Sequence, residues 1–114
     1  MCIRDRLKED ASDAPAGPVN TTIGLVATDA NITKEDANYL ARVSHDGLAL
    51  TIRPCHTVRD GDTMFTMATG HNESRLDLTT LGAAAVEVTA QAVLRAVRYA
   101  TGLGGIPAIS ELAV

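Results

Sequence analysis

From Thr22 to Ala30 the chain reads TIGLVATDA, with apolar or β-branched residues on both of its alternating faces. A strand that offers apolar side chains on both sides has to be covered on both. The segment therefore suits a buried central strand rather than one with a wet face. Gly24 weakens an isolated strand, and its place inside this run points to close approach of another backbone or a ligand. Any fold built around such a strand must find cover for both faces.

The next segments supply some of that cover. Thr33 opens a helix, with Asp36 three positions on in a capping-box-like pattern and Glu35 in the first turn. Ala37, Leu40, Ala41, Ser44, Leu48 and Ile52 recur at helical steps and mark one apolar or small face, which Pro54 ends. Gly47 costs about 1 kcal/mol relative to Ala in a helix interior, so its presence there predicts a tight helix contact. A loop follows over 54–61, then a second short buried strand over Thr63–Thr69 and a polar loop over Gly70–Asp77. The last periodic segment is a long helix over Leu78–Thr101, with Leu81, Ala84, Ala85, Val88, Ala92, Ala96 and Ala100 along one face. Gly102 is the natural C-cap, with Pro107 beyond it. The order is β-α-β-α, an α+β arrangement. Two strands rarely make a stable sheet unaided, so further strands upstream or a partner chain are expected.

Composition narrows the class. The chain has 114 residues, the size of one domain, and 46% are apolar, but only 3% are aromatic and there is no Trp. Its core must be made of Ala, Val, Leu and Ile, which favours closely apposed elements. The net charge is -4. Acidic and basic residues are interspersed, without a basic stripe, which argues against nucleic acid as a partner. No uninterrupted apolar run reaches the roughly 18–20 residues of a bilayer span, so no membrane partner is expected. Cys2 and Cys55 have no metal-ligand spacing, and Cys55 reads as a free loop thiol. Residues 1–18 are charged and small, ending in Ala14-Pro15-Ala16-Gly17-Pro18, and read as a disordered tail or upstream linker. Within them Met1-Cys2-Ile3-Arg4-Asp5-Arg6 looks like a translated sequencing-adapter remnant, with the protein continuing upstream and no signal peptide to be judged.

Four motifs carry a resemblance: Asn20 to Asp29, Ser44-His45-Asp46-Gly47-Leu48-Ala49, Arg53-Pro54, and Asp60-Gly61-Asp62-Thr63-Met64-Phe65. Together with the tail from Arg95-Ala96-Val97 to Gly105-Ile106-Pro107, they are similar, collinearly over residues 19–112, to the DmpA-type peptidases. These are β-peptidyl and L-aminopeptidase/D-esterase enzymes with an N-terminal nucleophile. The resemblance implies that residues 19–114 are the C-terminal, β-subunit part of a four-layer α-β-β-α sandwich shared with ornithine-acetyltransferase-like proteins. It implies self-cleavage between Asn20 and Thr21, after which Thr21 is both a new N-terminus and the nucleophile for amide hydrolysis.

The chemistry is coherent. A threonine hydroxyl is a weak nucleophile until a base takes its proton, and a freed α-amine of pKa about 7.7–8.0 can do so. By resemblance Asp62 orients and supports that amine and Asp60 assists, although Asp60 stands where Ser is usual. The oxyanion-stabilising residues are implied to lie in the missing N-terminal (α) subunit, leaving the fragment alone inactive. The expected substrates are small peptides, amides or esters, with no cofactor and no metal. A cytoplasmic homo-oligomer of αβ units is the expected setting.

Plainer readings stand beside these. Thr21 and Thr22 are good strand formers, and Asp60-Gly61-Asp62 is a common turn type that can itself present the acids. Ser44, His45 and Asp46 are adjacent on a helix and point apart, so they form no triad, and His45 is expected to be structural or solvent-facing. His56 and His71 are loop residues without zinc spacing. Thr28-Asp29 reads as a strand-end cap. An ornithine-acetyltransferase-like acyl transfer and a non-catalytic assembly module of the same fold are the rival functions.

Overall fold

The computed structural model describes residues 20–72 and 77–112. The expected tail over residues 1–18 lies outside them. Strand β1 (Ile23–Ala30), helix α1 (Lys34–Thr51), strand β2 (Thr63–Asn72) and helix α2 (Leu78–Tyr99) follow in order, with a 3-10 turn at Ile109–Glu111. The strands are parallel and paired in register from Ile23 with Thr63 to Thr28 with Ala68. A parallel pair needs a crossover, and α1 supplies it. Among the described residues the chain is thus α+β, a two-stranded parallel sheet with two helices.

Helix α1 begins as its capping residues dictate. The Thr33 hydroxyl accepts the Asp36 N–H at 3.2 Å, and Asp36 Oδ2 accepts the Thr33 N–H at 3.1 Å. The expected face is the buried one: Leu40, Ser44 and Leu48 are inside. Leu40 and Leu48 are 0% and 1% exposed, each worth about 1.5–3 kcal/mol of burial. They join Val26, Met64 and Ala85 in the core, with Ile52 and Cys55 packed against it. Gly47 is needed for close packing, because a Cβ there would lie 2.6 Å from the Val86 carbonyl oxygen and 2.7 Å from Thr89 Cβ of α2.

Several expectations are corrected. Helix α2 buries Gly82, Ala85, Thr89 and Ala90, whereas Ala84, Val88, Ala92 and Ala96 are exposed. The helix is apolar on overlapping faces, and contact with α1 selects the one carrying Gly82, where Tyr39 sits. That all-round apolarity gives α2 the length and apolar character of a bilayer span, although its longest uninterrupted apolar run is Leu81–Val86. The helix also ends at Tyr99 with Ala100 as its cap. Gly102 instead donates its N–H to Glu111 Oε1 at 2.8 Å. Strand β2 runs on past Thr69 to Asn72 through an irregularity in register, with Gly70 at φ 69°. Residues 73–76 of the expected polar loop are outside the described residues.

The largest departure concerns β1. Val26 and Ala30 face the helices and are buried, but Ile23 and Leu25 on the opposite face are 73% and 58% exposed. Phe65 and Met67 of β2 continue that open apolar face. Gly24 meets a side chain, not a backbone: a Cβ there would lie 2.5 Å from Met64 Sδ.

Candidate active site

Parallel pairing brings the entrance of β1 beside the turn that precedes β2. Gly61 donates its N–H to the Asn20 carbonyl oxygen at 3.3 Å, and Thr63 donates to the Thr22 carbonyl at 2.9 Å. Asn20 and Thr21 are exposed at this corner. Thr21 Oγ1 lies 3.0 Å from where a Cβ on Gly61 would stand, a tight contact, so the glycine leaves that side chain more room. Gly61 thus borders the Thr21 side chain, where the sequence suggested a turn former alone.

The two acids have different surroundings. Asp62 is turned inward, its side chain only 6% exposed. Its Oδ1 accepts the Thr22 N–H at 2.9 Å. Its Oδ2 accepts the His56 N–H at 3.2 Å and lies 2.8 Å from His56 Nδ1. Burial works against the charged carboxylate, but the N–H groups of Thr22 and His56 and the His56 ring together outweigh it and hold the Asp62 pKa below the ordinary carboxylate value. Asp60 accepts the Thr57 N–H at 2.8 Å, and its own N–H donates back to the Thr57 carbonyl. Asp62 thus sits one peptide from Thr21, while the hydrogen bonds of Asp60 close the local turn.

His56 lies in the expected loop and is exposed, and His45, read from sequence as structural or solvent-facing, lies against it from α1, a pairing the sequence did not indicate. His45 Nδ1 is 3.4 Å from His56 Nε2, with the ring centroids 4.8 Å apart. No spacing rule links positions 45, 56 and 62; the loop that returns from α1 to β2 makes the connection. The Ser44-His45-Asp46 run indeed forms no triad, since the buried Ser44 hydroxyl donates to the Ala41 carbonyl. Thr28 behaves as the expected strand-end cap, its hydroxyl accepting the Ala30 N–H.

Cys55, His56 and Asp62 offer a sulfur, a ring nitrogen and a carboxylate oxygen within 4.8 Å of one another. The sequence spacing had given no such cluster. Burial pushes the Cys55 thiol up, with the charges of Asp62 and Asp60 adding to it, away from the thiolate that metal binding or nucleophilic attack requires. The ring and the carboxylate are bonded to each other.

The corner therefore holds an exposed hydroxyl, a buried ionised carboxylate beside it, and a backbone N–H on the carbonyl that precedes the hydroxyl-bearing residue. Such an arrangement suits acyl chemistry at the Asn20–Thr21 peptide and at Thr21 itself. Comparison with known proteins supports a peptidase or hydrolase. Residues 2–108 match the family model of peptidase family S58. The chain is 43% identical to an uncharacterized aminopeptidase of Mycobacterium leprae, over 82% of this chain and 30% of that relative. It is 41% identical to an uncharacterized aminopeptidase of Mycobacterium tuberculosis (strain H37Rv), over 83% of this chain and 31% of the relative. It is 36% identical to a 6-aminohexanoate-oligomer endohydrolase of Kocuria sp., over 69% of this chain and 25% of that protein. The chain spans between 25% and 31% of the length of these relatives. With the family match covering nearly its whole length, this chain belongs to peptidase family S58, a family of hydrolases.

Proposed function

We propose that this chain is the nucleophile-bearing part of an aminopeptidase-like hydrolase that acts on small peptides, amides or esters. In this reading the Asn20–Thr21 bond is cut by the protein itself and Thr21 becomes the N-terminal nucleophile. The observation that carries it is the Asp62 carboxylate, bonded to the Thr22 N–H at 2.9 Å, one peptide away from the exposed Thr21 hydroxyl.

The steps follow from these residues. In the uncut chain the Thr21 hydroxyl attacks the Asn20 carbonyl, whose oxygen already accepts the Gly61 N–H, and the amide becomes an ester. Water then releases the Asn20 carboxylate and leaves Thr21 with a free amine. That amine takes the hydroxyl proton during attack on a substrate carbonyl. The leaving amine receives the proton, and water resolves the acyl-enzyme. The ionised Asp62 stabilises the ammonium that forms in each half-reaction. Asp60 assists by shaping the turn that carries Gly61 and Asp62.

The exposed Ile23, Leu25, Phe65 and Met67 face supports a further layer over the sheet, as in a four-layer α-β-β-α sandwich, supplied by the remainder of the protein. Names of the relatives support both exo- and endo-cleavage of amides, and the assay must include each. Full-length protein is incubated with aminoacyl amides, 6-aminohexanoate oligomers and, for the acyl-transfer rival, acetylornithine. Amide hydrolysis that disappears in Thr21→Ala supports the proposal. Acetyl transfer without amide hydrolysis favours the rival, and amide hydrolysis that survives Thr21→Ala refutes the assigned nucleophile.

A further inference from the structure

We propose that His56, backed by His45, is a positioning residue that fixes the Asp62 carboxylate toward the entrance of β1. The inference rests on the nucleophile reading above and adds two side chains to it. Three observations converge on His56. Both its backbone N–H and its ring Nδ1 reach the same oxygen, Asp62 Oδ2, at 3.2 and 2.8 Å. Its backbone lies at φ 57°, a left-handed conformation that residues with a Cβ rarely adopt. And its outer nitrogen, Nε2, meets His45 Nδ1 at 3.4 Å, so the ring is held from both sides.

Proton placement follows from the partners. Nδ1 faces a carboxylate, so it carries the hydrogen and donates to Oδ2. In the neutral ring Nε2 is then an acceptor, and His45 Nδ1 donates to it; in the charged ring the direction reverses. Besides Asp62 and His45, the Cys55 sulfur lies within 4.8 Å of a His56 ring nitrogen. Neither arrangement breaks the contact between ring and carboxylate.

The consequence for Asp62 is orientational. Without the ring, Oδ2 keeps only the longer 3.2 Å bond from the residue-56 N–H, and the carboxylate can tilt about its Cβ–Cγ bond. With Oδ2 held by two donors from His56, Oδ1 has one place to be, against the first peptide of β1. Displacements of about 1 Å at a catalytic group can cost on the order of 100-fold in rate. Holding the charge in place thus bears on turnover more than on substrate binding.

The test uses three variants of the full-length protein. His56→Gly keeps the left-handed backbone and the backbone N–H but removes the ring donor. His56→Asn also suits that backbone and places an amide N–H₂ where Nδ1 stands. His45→Ala removes the outer support. On an aminoacyl amide, His56→Gly should lower kcat by about tenfold or more while KM stays within about twofold. His56→Asn should recover most of that loss, and His45→Ala should give a smaller loss in kcat alone. Equal kcat in His56→Gly and the unaltered protein overturns the proposal, and so does a His56→Asn variant that is folded by circular dichroism yet as slow as His56→Gly. If the unaltered full-length protein carries no Thr21 terminus and hydrolyses no amide, the nucleophile reading fails first and this inference falls with it.

Discussion

Replacing Gly47 by Ala sets two effects of similar size against each other. Helix propensity favours Ala by about 1 kcal/mol. Against it, the new Cβ would lie 2.6 Å from the Val86 carbonyl oxygen, 2.7 Å from Thr89 Cβ and 3.0 Å from the Ala90 nitrogen. Two of these three atoms are backbone of α2 and cannot rotate away. Moving from 2.6 Å to an ordinary contact of 3.4 Å requires the helices to part by about 0.8 Å, and overpacking of this kind costs about 1–3 kcal/mol. Backbone resistance puts the cost at the upper end, for a net destabilisation of about 2 kcal/mol. Gly82→Ala is the internal control. Its Cβ would meet Tyr39 Cε1 at 3.1 Å and the Tyr39 hydroxyl at 3.3 Å, the mobile end of a half-buried side chain. There the ring can yield, and the net effect should be within about 0.5 kcal/mol of neutral. Urea unfolding followed by far-ultraviolet circular dichroism reads both, provided the m-values match. A Gly47→Ala variant as stable as the parent, or more so, refutes the close crossing of α1 and α2.

Two further outcomes follow from the site. Gly61→Ala puts a methyl group 3.0 Å from Thr21 Oγ1 and should lower kcat on an aminoacyl amide by about tenfold, with stability changed by less than about 1 kcal/mol; unchanged kcat removes Gly61 from the site. Asp62 and Asp77 both have folded pKa values below the ordinary carboxylate value, Asp62 against the opposing effect of burial and Asp77 chiefly through the Thr80 N–H. Their contribution is therefore present above the unfolded carboxylate pKa of about 3.9 and is lost as pH falls through the lower folded values. Stability against pH should fall below about pH 4, and Asp62→Asn should flatten that fall; parallel curves for the two proteins contradict it.

Local chemistry made part of this legible in advance. The Thr33 and Asp36 box, the start of β2 at Thr63 and the small face of α1 are written in short-range pattern, and Gly47 announces a close contact by being a glycine where alanine is better. What pattern does not carry is which of several apolar faces meets a neighbour. Alanines on α2 satisfy more than one helical stripe, and contact with Tyr39 and Gly47 settles on Gly82, Ala85 and Thr89. Apolar residues on both faces of β1 predict cover on both sides, and the described residues cover one. Asp60 and Asp62 were singled out by motif, but the pairing of His56 with Asp62 and with His45 was not. The meeting of His56 with Asp62, and of His45 with His56, depends on the path of the 52–62 loop and on a left-handed backbone at His56, neither of which is encoded by spacing.

The central claim is that Thr21 becomes an N-terminus. Mass spectrometry of the full-length protein, purified without added protease, measures this directly. The account predicts two polypeptides, one ending at Asn20 and one beginning at Thr21, and a single uncut polypeptide when Thr21 is replaced by Ala. An active amide hydrolase whose chain runs unbroken through Asn20 and Thr21 would contradict it.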